Sequence, residues 1–156
     1  MGTEAGRRFI CRRLMKFDMP LDRIEMRGLS SGYLAEYGDM DIALDTFPYT
    51  GGLTTCEALF MGVPIVTLVG ERHGSRFGWS FLNNIGLSEL AAKDKEEYVK
   101  IAVALAKDGE LLVALRKKIR TLMKQSPLMN GKTYMQDLEA LYKKMLKEYY
   151  DKNEKM

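Results

Sequence analysis

Residues Asp41–Pro64 read DIALDTFPYTGGLTTCEALFMGVP, and this stretch decides the fold. Ile42, Ala43, Leu44 and Phe47 form a short apolar run of strand length, so Asp41–Phe47 is expected to be a buried strand. Gly51 and Gly52 allow a sharp turn and a close approach of backbone to ligand. Thr54 and Thr55 open a helix whose unpaired amides favour an anion. Gly62 ends that helix and Pro64 bars its continuation. A phosphate-bearing ligand at the C-terminal end of a parallel strand follows from this order of elements. The loop is neither G-x-x-x-x-G-K-[ST] nor G-x-G-x-x-G, and no Lys stands where a nucleoside-triphosphate site needs one. An ordinary capped helix is the other reading. Thr54 and Glu57 have the T-x-x-E spacing of a capping box, which still leaves further first-turn amides for a ligand.

Outward from this stretch, Ile65–Val69 reads as a second buried strand, rich in β-branched residues. Gly74–Asn84 is expected to be helical, with Gly86 ending it. A short extended piece near Leu90–Ala92 precedes a helix opened by the pair Asp94 and Glu97. Asp108 caps a helix to about Lys124, with Leu111, Leu112, Leu115, Ile119 and Leu122 at helical spacing, and Ser126-Pro127 stops it. Thr133 and Gln136 suggest a third capping box. Leu138, Leu141, Tyr142, Met145 and Tyr149 then stripe a last helix, and this stripe is expected to be core. Toward the N-terminus, residues from about Thr3 to Met15 are expected to be helical with Phe9, Ile10 and Leu14 on one face, until Pro20 breaks the pattern. Arg23–Arg27 alternates like a short strand, Gly28–Gly32 is a loop, and Tyr33–Tyr37 makes a turn or two of helix. Strands alternating with helices predict an α/β fold with a parallel sheet.

The 156 residues suffice for one domain, 1–156, with a sizeable core. A hydrophobic share of 46%, a charged share of 29% and a net charge of +3 describe an ordinary globular protein, not a strongly basic nucleic-acid binder. Cys11 and Cys56 form no C-x-x-C pair, which argues against zinc and for a reducing, cytoplasmic compartment. No apolar run approaches a membrane span and no secretory h-region follows the N-terminus.

The runs DIALDTFPYTGGLTTCEALFMGVPIVTL and GERHGSRFGWSFLNNIGLSEL resemble the C-terminal catalytic half of the O-linked N-acetylglucosaminyltransferases. These are the tetratricopeptide-repeat glycosyltransferases of family 41, with bacterial and SPINDLY-like members. D-T-F-P-Y, T-T-C-E-A-L, M-G-V-P and R-H-x-S-R carry the resemblance, which runs from about Arg23 to Tyr150. It implies a Rossmann-like, UDP-sugar-binding half of a two-domain GT-B enzyme, with the active site between the halves and no metal required. On that basis the chain is expected to be a fragment. It would lack the N-terminal half and the first strand of its own half, and would be inactive alone and prone to self-association.

By motif position, Gly51, Gly52, Leu53, Thr54 and Thr55 resemble the diphosphate loop. Glu57 resembles an acceptor for ribose hydroxyls, its alternative being the capping box. Asp45 ends a strand at the ligand edge, in a functional or a loop-organising role. His73 is the single histidine and follows the second strand at the same edge. Arg76 stands one helical turn on, for phosphate or for a salt bridge. Tyr33 falls where relatives often carry His near the uracil, and either stacks on a base or packs. The basic run Arg116, Lys117, Lys118, Arg120 and Lys124 reads as a solvated face rather than a nucleic-acid surface.

The sequence therefore points to a UDP-sugar-binding domain of a protein glycosyltransferase. The donor is UDP-N-acetylglucosamine, with glucose or fucose as rival sugars, and the acceptor is a Ser or Thr hydroxyl. A non-catalytic interaction domain is the alternative, favoured by Gly52, Leu53 and Tyr33, which depart from residues common in the relatives.

Overall fold

A computed structural model describes residues 4–153. The chain divides into two compact units, one ending at Glu36 and the other beginning at Tyr37.

In the first unit, α1 spans Glu4–Met15 and α2 spans Tyr33–Glu36. Thr3, where the first helix was expected to begin, lies outside the described residues. α1 is strongly basic, with Arg8 paired to Glu4 at 2.8 Å and no buried residue. Asp18, in the left-handed region at φ 55°, follows its end. The expected strand at Arg23–Arg27 is absent. A 3₁₀ turn occupies Leu21–Arg23, and Ile24 continues in extended backbone. Ile24 and Met26 are half-buried while Glu25 and Arg27 are exposed, so the alternation is real. A strand also requires a ladder partner, and among the described residues this segment has none.

In the second unit, β1 (Ala43–Leu44), β2 (Ile65–Leu68) and β3 (Ala91–Ala92) form a parallel sheet in the order β1-β2-β3. The register sets Ala43 against Ile65 and Thr67 against Ala91. Three helices interleave with the strands: α3 (Leu53–Phe60), α4 (Phe77–Asn84) and α5 (Lys95–Lys107). Then α6 (Gly109–Gln125) and α7 (Gly131–Asn153) follow. This is the Rossmann-like α/β arrangement expected from the alternation of elements. β2 lies between two neighbours, and its Ile65, Val66 and Thr67 are buried, the pattern of a covered parallel strand.

β1 is shorter and wetter than expected. Only Ala43 and Leu44 are laddered, although the Ala43 and Asp45 amides donate to Pro64 and Val66 at 2.9 Å. Leu44 is 59% exposed. Beyond Asp45 the chain leaves the sheet through a cis Phe47–Pro48 peptide.

The core gathers Leu59 of α3, Val63, Ile65 and Val66, Leu82 of α4, Leu105 of α5, and Leu115, Ile119 and Met123 of α6. Each fully buried aliphatic side chain contributes about 1.5–3 kcal/mol. Gly62 has φ +87°, and a Cβ there would come within 2.8 Å of the Arg116 carbonyl, so glycine both ends α3 and lets α6 approach. Asp94 and Asp108 cap α5 and α6 as expected, accepting from the amides of Glu97 and Leu111.

Two expectations fail at the C-terminus. Asn130, not Thr133, caps α7: its side-chain oxygen accepts from the Thr133 amide at 3.1 Å. The helix begins at Gly131, which puts Thr133 inside the first turn. The α7 stripe is not core either. Leu138 is half-buried, but Leu141, Tyr142, Met145 and Tyr149 are all exposed, because beyond the first turns none of the described residues covers that face.

Candidate functional site

Asp45, at the C-terminal end of β1, organises the site. It is buried, and both carboxylate oxygens are engaged. Oδ1 accepts from the Gly51 amide at 2.8 Å and Oδ2 from the Thr67 hydroxyl at 2.7 Å. Its carbonyl accepts from the Tyr98 hydroxyl at 2.9 Å. Of the two roles open in the sequence, the loop-organising one is seen. Burial and then the charge of Asp45 raise the pKa of Tyr98, keeping it a donor.

The carboxylate fixes where the turn goes. A Cβ on Gly51 would collide with the Thr55 hydroxyl and reach 3.0 Å from that of Thr54, so only glycine fits against the first turn of α3. A Cβ on Gly78 would collide with the Thr67 hydroxyl and the Asp45 carboxylate, so α4 approaches the sheet through that glycine. Thr50, buried, donates its hydroxyl to the Gly74 carbonyl at 2.9 Å. That bond joins the loop before α3 to the loop carrying His73.

α3 begins at Leu53 with Gly52 as its N-cap, and no side chain caps it. The expected Thr54–Glu57 capping box is therefore absent. The helix starts one residue earlier than expected, which places Thr54 inside the first turn, and Asp45 holds the Gly51 amide just ahead of the N-cap. Glu57 instead receives a hydrogen bond from the Tyr37 hydroxyl. Gly52 faces open space, Leu53 is 75% exposed, Thr54 is exposed and Thr55 is buried. A cleft of about 270 Å³ runs beside this helix start, lined by Tyr37, Met40, Leu44, Asp45, Gly51, Thr54 and Thr55. Its walls are mostly apolar and its end is the uncapped first turn, where peptide dipoles favour negative charge.

His73 opens a 3₁₀ turn, is exposed, and packs edge-on against Phe77 at 5.0 Å. Arg76 is tied down by its Nε donating to the Gly70 carbonyl at 2.9 Å. Tyr33 belongs to the first unit, where it opens α2 and is exposed. Among the described residues no three His, Cys, Asp or Glu side chains gather as a metal-binding group. Burial first, then the charge of Glu57, raises the pKa of Cys56, so its thiol is poorly nucleophilic at neutral pH.

The sequence reading missed Tyr37, Thr50, Thr67, Gly78 and Arg116. Gly78 carried a signal, since a glycine within a helical pattern marks close packing. Thr67 inside an apolar strand also implies a buried partner. The basic run is only partly the solvated face expected. Arg120 and Lys124 lie over the Phe60 ring at 5.0 and 6.0 Å, and Arg116 is pinned across the chain to the Tyr37–Met40 segment.

A parallel sheet with interleaved helices, an uncapped helix start behind a glycine turn and a cleft beside it define a Rossmann-like unit in outline. The comparisons supply the family: the glycosyl transferase family 41 model matches residues 31–138, and the chain belongs to that family. It is 44% identical over 131 residues to a probable UDP-N-acetylglucosamine--peptide N-acetylglucosaminyltransferase SPINDLY of Petunia hybrida, covering 84% of this chain and 14% of that protein. It is 38% identical over 109 residues to a UDP-N-acetylglucosamine--peptide N-acetylglucosaminyltransferase of Caenorhabditis elegans, covering 70% of this chain and 10% of that one. A solved O-GlcNAc transferase mutant of Thermobaculum terrenum superimposes with a TM-score of 0.84 at 34% identity, covering 92% of this chain and 28% of that one. The chain thus spans a small part of each relative's length.

Proposed function

We propose that this chain is the UDP-sugar-binding half of a GT-B protein glycosyltransferase. The diphosphate would sit on the first-turn amides of α3 and the Thr54 hydroxyl, with Glu57 accepting from the ribose. In the longer protein, N-acetylglucosamine would pass from UDP to a Ser or Thr hydroxyl. The bond from the anomeric carbon to the acceptor oxygen forms as the bond to the β-phosphate breaks, and UDP leaves with the electron pair. Amides and hydroxyls without a metal would stabilise that departing charge.

The observation that carries this reading is the helix start itself. Asp45 pins Gly51 so that α3 opens uncapped at the C-terminal edge of a parallel strand, with Thr54 exposed beside the cleft. The names of the relatives support the donor and the peptide acceptor. The reading places the protein in the cytoplasm, in keeping with its free Cys11 and Cys56; no described helix is long and apolar enough to cross a membrane. The exposed apolar side chains of α7 are in keeping with self-association.

Calorimetry with UDP and with uridine tests the site. UDP binds equally well with and without EDTA, whereas a strict magnesium requirement would refute the metal-free diphosphate site. Thr54→Val removes a charge-assisted hydrogen bond of about 1.5–3 kcal/mol, so UDP affinity falls roughly ten- to a hundredfold while uridine affinity changes little. Equal loss for both ligands, or no loss for either, would leave the loop without a diphosphate role. A second reading, a non-catalytic interaction domain, rests on Leu53, whose exposed side chain brings no hydroxyl to the loop. It requires that UDP show no saturable binding.

A further inference from the structure

Arg116 lies on α6, far in sequence from the cleft, yet it holds one of the cleft's walls. Its Nη2 donates to the carbonyls of Tyr37 at 3.0 Å and Gly38 at 2.8 Å, and its Nη1 donates to the carbonyl of Met40. All three acceptors belong to a 3₁₀ turn at Tyr37–Asp39 and the residue after it. A guanidinium is suited to this task, because its rigid planar fork offers several donors in fixed directions while an ammonium offers one point of charge. The other side of the same turn faces the site. The Tyr37 hydroxyl lies 3.4 Å from the Thr54 carbonyl and hydrogen-bonds Glu57. Tyr37 and Met40 both line the cleft with Gly51, Thr54 and Thr55.

We infer that Arg116 is a positioning residue for the nucleotide site: it clamps the Tyr37–Met40 turn so that the Tyr37 hydroxyl orients Glu57 beside the helix start. The inference rests on the nucleotide reading above and adds to it a chain of control from α6 to the ribose side. Glu57 is a flexible side chain on the first full turn of a short helix. The Tyr37 hydroxyl supplies one of its restraints, and loosening that restraint leaves a ribose to meet a less ordered carboxylate at a cost in affinity. The backbone of Arg116 is itself fixed, because the Gly62 turn at the far end of α3 packs against its carbonyl. Both ends of α3 are therefore registered against one residue of α6.

The test is calorimetric titration of the full chain with UDP and with uridine, alongside the melting temperature. The variants are Arg116→Lys, Arg116→Met, Tyr37→Phe and the Arg116→Met/Tyr37→Phe pair. Arg116→Met weakens UDP and uridine by the same factor, about three- to tenfold, since both ligands carry the ribose. This differs from Thr54→Val, which spares uridine. Arg116→Lys falls between. Tyr37→Phe reproduces the loss, and the double variant is no weaker than the poorer single one, because the two residues act in series. Additive losses, or a fall in melting temperature with both affinities unchanged, would overturn the inference. Should Arg116→Met not fold, Tyr37→Phe decides: it removes one oxygen atom, and unchanged affinity for both ligands overturns the coupling. If the unaltered chain binds neither UDP nor uridine, the nucleotide reading fails and this inference with it. Binding that the variants leave intact overturns this inference alone.

Discussion

α6 and α7 carry the same kind of apolar pattern and meet opposite fates. In α6, Leu115, Ile119 and Met123 recur at helical spacing and are buried; Ile119 is 0% exposed, in the core that α6 shares with α3 and α5. In α7, Leu138, Leu141, Tyr142, Met145 and Tyr149 recur just as regularly, yet Met145 is 63% exposed. Periodicity specifies which face of a helix is apolar and says nothing of what covers it. The two stripes also differ in kind. That of α6 is aliphatic, while that of α7 is rich in Met and Tyr, residues that tolerate a wet or adaptable surface.

The sharpest way to break this comparison is truncation of matched side chains. Ile119→Ala leaves a cavity among Leu59, Val63 and their neighbours and destabilises by about 2–5 kcal/mol. Met145→Ala removes a side chain already in water and changes stability by no more than about 0.5 kcal/mol. Urea unfolding of the two variants reads the difference directly. A cost at Met145 matching that at Ile119 would show that α7 is covered in solution.

A second, smaller contrast lies within one residue type. Gly→Ala in an exposed helix position gains about 0.5–1 kcal/mol. Gly78→Ala in α4 should have the opposite sign and cost about 1–3 kcal/mol, because the new methyl group collides with the Thr67–Asp45 hydrogen bond. The same push disturbs the oxygen pair that holds Gly51, so UDP affinity falls along with the melting temperature. A stabilised Gly78→Ala variant would mean that α4 does not approach the sheet through that glycine.

What the sequence made legible follows the same division between local rules and long-range partners. The alternation of elements, the caps at Asp94 and Asp108, and the glycine stops at Gly62 and Gly86 all depend on neighbours within a turn, and all are observed. The Gly51–Thr55 segment was visible as a glycine turn before a helix, and it is one. The unseen part consists of contacts between distant residues: Asp45 with Thr67, Thr50 with Gly74, and Arg116 with Tyr37, Gly38 and Met40. Arg116 sits in a run of Lys and Arg that looks like a solvated face, and only the fold singles it out. The Arg23–Arg27 alternation misled for the same reason, since a strand is defined by a partner that the segment itself does not contain. At Thr54 and Glu57 a local signature lost to a distant one, as Tyr37 engages the Glu57 carboxylate and α3 already begins at Leu53.

The smallest effect concerns how α7 is started, and it tests whether a helix with an uncovered stripe depends on its own local devices. Thr133 and Gln136 have capping-box spacing, yet Asn130 Oδ1 accepts from the Thr133 amide and Gly131 is the first helical residue. An Asn cap contributes about 1 kcal/mol. α6 is held by its core contacts as well as by Asp108, so losing a cap there would be partly masked. α7 has little burial to fall back on, so Asn130→Ala should fray its first turns. Amide exchange of residues 131–136 should speed up about fivefold, the equivalent of about 1 kcal/mol, with the global melting temperature almost unmoved. Thr133→Ala should leave exchange unchanged or slightly slower, because Ala favours a helix interior and no cap is removed. The reverse pattern, fraying with Thr133→Ala and none with Asn130→Ala, would restore the capping box and move the start of α7 to residue 134.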